Sequence, residues 1–219
     1  MLNTIVVFDF ETTGVDPNTC QPVQLAACAI NSRTLEIKRG SWFCTDIKPT
    51  NFEIIERSNI EWHMKQKGCT EDELMQRWDT APEQKHVIQN FVDYIHQHNW
   101  RKDKFTAPVP AGHNILKYDL PILDRIIKEN KIKTPYLFNL RDYIDTMHLC
   151  MLWLESLGEP TNYNMDALRE YFGFDETSKA AAHDAKQDVN DTVKILVRFM
   201  KMHRTIAQNK KFKDAFKDG

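Results

Sequence analysis

Five side chains, far apart along the chain, are of the kinds that hold hard cations and move protons: Asp9, Glu11, Asp119, Asp188 and His183. Asp9 and Glu11 sit in "DFETTG", Asp9 to Gly14, directly after the strand-like run Thr4-Ile5-Val6-Val7-Phe8. Side chains at i and i+2 of a strand point to the same face. Two carboxylates side by side on a half-buried surface repel each other and are penalised by desolvation, so something has to compensate them. Taken alone, the pair also fits an edge strand with one polar face. Phe8 and Phe10 beside it argue that the other face is buried as well.

The second segment, "GHNILKYDLPIL" from Gly112 to Leu123, leaves a strand and enters a helix. Asp119 before Leu120-Pro121 has an ordinary reading as an N-cap with proline in the first turn, and His113 and Asn114 as loop residues satisfying backbone groups. The third, "AAAHDAKQDVNDT" from Ala180 to Thr192, resembles a D-x-x-Q capping box at Asp184 and Gln187. A helix starting at Asp184 leaves His183 in the loop before it and Asp188 one turn inside. Alone, Asp188 reads as a solvated helix carboxylate.

Together the three segments answer for one another. Four carboxylates converging from a first strand and two helices require divalent cations, and oxygen ligands of this kind suit Mg²⁺ or Mn²⁺ rather than zinc. Two ions held about 3.5–4 Å apart form the arrangement used for in-line displacement at phosphorus. A neutral histidine beside the attacking water can take its proton.

The elements that must position these groups follow from pattern. Strands are expected at Thr4–Phe10, Val23–Ile30 and Thr34–Cys44, a meander with short turns, then at Pro108–Ala111 and around Tyr143-Ile144. Helices are expected at Phe52–Ser58, Thr70–Trp78 with the capping box Thr70-Glu71-Asp72-Glu73, Pro82–His98, Leu120–Glu129, Thr146–Leu157, Asn164–Phe172 and Asp184–Thr205. This order gives one α/β domain over 1–205, a central five-stranded mixed sheet flanked by helices, followed by a basic tail over 206–219.

Composition sets the class. The 219 residues are 42% hydrophobic and 27% charged, with a formal net charge of −2. That balance argues against coating nucleic acid by bulk electrostatics and leaves room for one local groove. Five scattered cysteines without a C-x-x-C pair, no signal peptide and no long apolar run indicate an intracellular, cytoplasmic protein with reduced thiols and no membrane partner.

The three segments resemble, in order and spacing, the motifs of the DnaQ-like DEDD 3′→5′ exonucleases of the ribonuclease H-like superfamily (the exonuclease/ribonuclease T family). Motif one resembles Asp9 to Gly14, motif two His113-Asn114 to Asp119, and motif three His183 with Asp188. Where one branch carries tyrosine four residues before the last aspartate, this chain has Asp184. Where the other carries histidine five before, it has His183, which is the DEDDh pattern. Asp145-Thr146 is similar to the family's "DT" after its last strand, and Asn164 to Gly173 to its helix before motif three. The resemblance covers about Ile5 to Phe199. One departure is the spacing from His113 to Asp119, six residues against five in many bacterial proofreading members. It is closer to three-prime repair exonucleases and to some phage polymerases, and so leans toward DNA.

By that resemblance, Asp9, Glu11, Asp119 and Asp188 ligate two Mg²⁺ ions, with Mn²⁺ able to substitute, and His183 is the general base. Thr12, Thr13 and Asn114 contact the substrate. Trp62 and His63 lie where the family often contacts bases, against the simpler reading of Trp62 as core. The implied substrate is the 3′ end of DNA, single-stranded or frayed, releasing nucleoside 5′-monophosphates. A polymerase or homodimer partner is compatible with it. The alternatives are an RNA 3′-end trimming exoribonuclease and a non-catalytic nucleic-acid or polymerase-docking module.

Overall fold

The computed structural model describes residues 3–139, 141–175 and 183–209. Its first strand, β1 (Ile5–Thr12), is covered on both faces. Val6, Phe8 and Phe10 enter one apolar core, Ile5 and Val7 another. Double coverage accounts for the near-continuous apolar run here and in β2 (Pro22–Ile30), which is buried throughout. Then come β3 (Phe43–Asp46), α1 (Arg57–Lys67), α2 (Glu71–Thr80), α3 (Gln84–Gln97), β4 (Val109–Gly112) and α4 (Asp119–Glu129). β5 (Ile144–Asp145), α5 (Thr146–Leu154), a 3-10 turn (Glu155–Leu157), α6 (Met165–Tyr171) and α7 (Ala185–Asn209) follow.

The sheet order is β3-β2-β1-β4-β5. β1, β2 and β3 pair antiparallel, and β4 and β5 add in parallel to β1's other side. This is the five-stranded mixed sheet expected from the sequence. Helices α3 and α4 cover one face through Val87, Ile88, Phe91, Ile122, Leu123 and Ile126. Helix α7 covers the other through Ala185, Val189, Val193 and Leu196, one stripe at helical spacing. Asp9 and Glu11 share the parity of Ile5 and Val7, so they lie on the α7 side, at the end where α7 begins.

Several boundaries differ from expectation. The third strand forms only as Phe43–Asp46. Leu35 and Gly40 are left-handed, with φ of 61° and 70°, and break up the segment before it. Only an isolated bridge from Ile30 to Ile37 remains there. The Asn51 side chain accepts from the Glu53 N–H at 2.9 Å, holding a turn where a helix was expected from Phe52; the helix starts at Arg57. The capping box of Thr70 and Glu73 forms as read. Arg204, near the end of the expected helix, donates to the carbonyls of Arg33 and Ser32 and pins the end of α7 to that turn. Most of the expected tail, 210–219, lies outside the described residues.

Gly112 ends β4 where the backbone passes close to Ile115. A Cβ at Gly112 would meet Ile115 Cβ at 2.9 Å and Cδ1 at 3.0 Å. Gly112→Ala is therefore expected to destabilise the fold by about 1–3 kcal/mol, as overpacking does. Urea unfolding measures this, and an unchanged midpoint would contradict it.

Candidate active site

The acids of β1 meet α4 through the backbone. Pairing with β4 covers only Ile5 to Val7, so beyond Val7 that edge of β1 is open. The Phe10 N–H on this stretch donates to Asp119 Oδ1 at 2.9 Å. Asp119 is not the N-cap expected from the sequence. Tyr118 holds that position, and Asp119 is the first helical residue, 1% exposed. Its carboxylate braces the strand carrying Asp9 and Glu11.

The second approach is α7. Asp184 accepts from the N–H groups of Lys186 and Gln187 at 3.2 and 3.4 Å, as the capping pattern predicts. Gln24 of β2 fixes the junction, accepting from the Ala185 N–H at 3.0 Å and donating to Asp184 Oδ2 at 3.3 Å. Lys67, at the end of α1, donates to the His183 carbonyl at 3.0 Å. His183 itself has φ 63°, a left-handed conformation uncommon outside glycine. The turn puts its ring back over the start of α7. Glu11, His183 and Asp188 consequently offer ligand atoms that all lie within 4.8 Å of one another.

The electrostatics are those of an undercompensated acidic cluster. Burial, then the charges of Asp119, Asp188 and Glu11, push the Asp9 carboxyl well above its ordinary range. Burial, with Asp188 next, lifts Glu11 to about 8 despite the opposing Lys67. Burial lifts Asp119 to about 7 against the Phe10 hydrogen bond. Burial also raises Asp188, and Arg169 opposes it. Carboxylate oxygens gathered in this way fit a hard divalent cation. Asp9 and Asp119 are joined to the tighter group by charge and by the Phe10 amide.

The expected substrate residues are mostly committed to the loop. The Thr12 hydroxyl donates to the Gly14 carbonyl at 2.8 Å and also meets the Tyr118 hydroxyl. Thr13 is buried, its hydroxyl accepting from the Gln21 N–H at 3.0 Å. Asn114 is left-handed, and its N–H donates to Asp145 Oδ1 at 3.0 Å. His63 is buried and donates from Nε2 to the Thr12 carbonyl at 2.8 Å. Trp62 is partly exposed, its ring 4.9 Å from that of His183 and nearly edge-on.

Sequence reading missed Arg169. It is 2% exposed, on α6, and its guanidinium donates to Asp188, to Asp191 at 2.9 Å and to Asp166 at 2.9 Å. The available signal was a charged residue directly after Leu168 in a helix required to pack on α7. The "DT" pair has a visible use: Asp145 caps α5, accepting from the Met147 N–H at 3.0 Å, while it holds the Asn114 N–H. A cavity of about 780 Å³ opens between α4 and residues 134–143, and none of the five candidate residues lines it.

The family profile described as RNase_T, Exonuclease, matches residues 6–196. Among solved structures, the chain is similar to exonuclease I, in a study of how processivity is achieved, at 19% identity and a TM-score of 0.67. That match covers 91% of this chain and 41% of the other. It is similar to cell-death related nuclease 4 (CRN-4) at 19% identity and a TM-score of 0.66, covering 92% and 64%. Against E. coli exonuclease I in complex with a dT13 oligonucleotide, identity is 19% and the TM-score 0.67, covering 94% and 43%. The chain thus spans less than half the length of exonuclease I. No curated protein matches. The likeness establishes the ribonuclease H-like fold. Among the described residues, no helix is long and apolar enough to cross a membrane.

Proposed function

The chain belongs to the RNase_T exonuclease family, and from that premise we propose that it is a divalent-metal-dependent 3′→5′ exonuclease of the DEDDh type. The observation that carries the reading is the convergence of Glu11 of β1 with His183 and Asp188 at the start of α7, within 4.8 Å of one another. Asp9 and Asp119 join them through shared charge. A two-metal centre at such a site would polarise the scissile phosphodiester and favour an ionised water as nucleophile.

The chain's own residues would then act as follows. Asp9, Glu11, Asp119 and Asp188 hold the metal, Mg²⁺ with Mn²⁺ able to substitute. His183, placed by its left-handed turn and by Lys67 on its carbonyl, takes the proton of the attacking water. Trp62, exposed beside His183, offers a face on which a base can stack, a contact tolerant of sequence. Residues 1–205 are read as the single exonuclease domain.

DNA is preferred as substrate because the His113–Asp119 spacing leans that way and a relative of the same fold is bound to dT13. The test is digestion of matched, 5′-labelled DNA and RNA single strands with Mg²⁺. Stepwise shortening of DNA from its 3′ end, with release of nucleoside 5′-monophosphates, is expected. Shortening of RNA alone would replace the reading with an exoribonuclease. No shortening of either strand by folded, metal-binding protein would overturn it.

A further inference from the structure

We propose that Arg169 is a resident cation of the metal-ligating site, a positioning residue that holds Asp188 in place when no divalent ion is bound and sets how tightly one binds. The proposal rests on the reading of Asp188 as a metal ligand. Arg169 touches neither substrate nor the reacting atoms, and acts through the carboxylate it holds.

The geometry is unusual for an arginine. Its guanidinium is almost wholly out of solvent, and its donors run to three separate aspartates, Asp166, Asp188 and Asp191. Lys194 also reaches Asp191, at 2.9 Å. Asp191 thus has a second cation, whereas the described salt bridges give Asp188 only Arg169. Asp188 also accepts from the His183 N–H at 3.3 Å, so Arg169 fixes the carboxylate that orients the loop bearing the proposed base. Asp166, on the same helix as Arg169, faces His183 Nε2 at 3.6 Å. One guanidinium therefore links α6 to both the ligand and the histidine. A buried monocation beside a ligand opposes a dication approaching that same ligand, and the opposition is strong where water is excluded.

This gives the role a sign that simple packing would not share. Lys, Gln and Met at position 169 pair progressively less with Asp188. Metal binding is measured on the metal-free protein at about pH 8, by calorimetry with Mg²⁺ and by electron paramagnetic resonance with Mn²⁺, without nucleic acid. The neutral variants R169Q and R169M are expected to bind at least about tenfold more tightly than the parent, with R169K between. Their metal-free melting temperatures should fall, and Mg²⁺ should raise them by more than it raises the parent's.

A purely structural role lowers the melting temperature and leaves metal affinity unchanged or weaker; that result in any folded variant overturns the proposal. So does failure of all three to fold, which would make Arg169 an indispensable pin. The two readings fail separately. If the parent itself binds neither ion, the metal-site assignment falls. If the parent binds and the variants match it, only the role of Arg169 falls.

Discussion

Asp9→Asn is expected to reduce turnover by on the order of 10³-fold while raising the melting temperature of the metal-free protein. Both effects have one cause. Asp9 is pressed upward by burial and then by three neighbouring acids, Asp119, Asp188 and Glu11, against the opposing charge of Arg169. Asparagine keeps the shape and removes the charge. The repulsion it relieves should appear as a gain of a few degrees, at about 2–4 °C per kcal/mol for a chain of this size. The lost ligand should appear as weaker Mg²⁺ binding together with lost activity. Such opposed signs are what separate a functional acid from a structural one. Retained turnover, or a lower melting temperature without metal, would remove Asp9 from the site.

The second large effect is in pH. Below about pH 4 the carboxyls of the cluster are protonated in folded and unfolded chains alike. As pH rises the unfolded chain ionises freely, while Asp119 keeps its proton to about 7 and Glu11 to about 8. The native state then binds more protons than the unfolded one, so stability falls with rising pH across that window and levels off above it. For Glu11 alone, moving from 4.5 to about 8 corresponds to on the order of 4–5 kcal/mol, at about 1.4 kcal/mol per tenfold.

Carboxyls held low, such as Asp16 and Glu73 by backbone hydrogen bonds, act at lower pH. His63, His98 and His113, lowered by burial, pull the other way as pH rises toward about 6.5. The informative quantity is therefore the gap between unfolding curves with and without Mg²⁺, in which the histidines cancel. Metal ligation favours the ionised acids, so that gap should widen steadily from about pH 5 to pH 8. A gap independent of pH would contradict the assignment of these acids as ligands.

How much was legible in the sequence depended on whether a residue's neighbours were local. The parity of Asp9 and Glu11 against Val6, Phe8 and Phe10 was readable because a strand alternates by two. So was the capping of α7 by Asp184, and the sheet with its order of elements follows the expected pattern. The strand at Thr34–Cys44 was misplaced because Leu35 adopts a left-handed turn that its side chain does not announce. Asp119 was legible as a helix-start residue, but not as the acceptor of the Phe10 N–H, since that bond depends on the pairing of β1 with β4 stopping at Val7. Arg169 was invisible for a similar reason. Its three partners come from its own helix and from α7, and only the packed structure shows that they surround one guanidinium.

Helix α1 grips His183, two residues before α7, at two points, by the Lys67 ammonium on the His183 carbonyl and by the Trp62 ring against the imidazole. The two points lie at opposite ends of that residue, one on main chain and one on side chain. A rigid-body tilt of α1 would therefore rotate the imidazole about its own backbone instead of merely dragging it along. Whatever leans on α1 from outside thus acts as a lever on the angle of one ring.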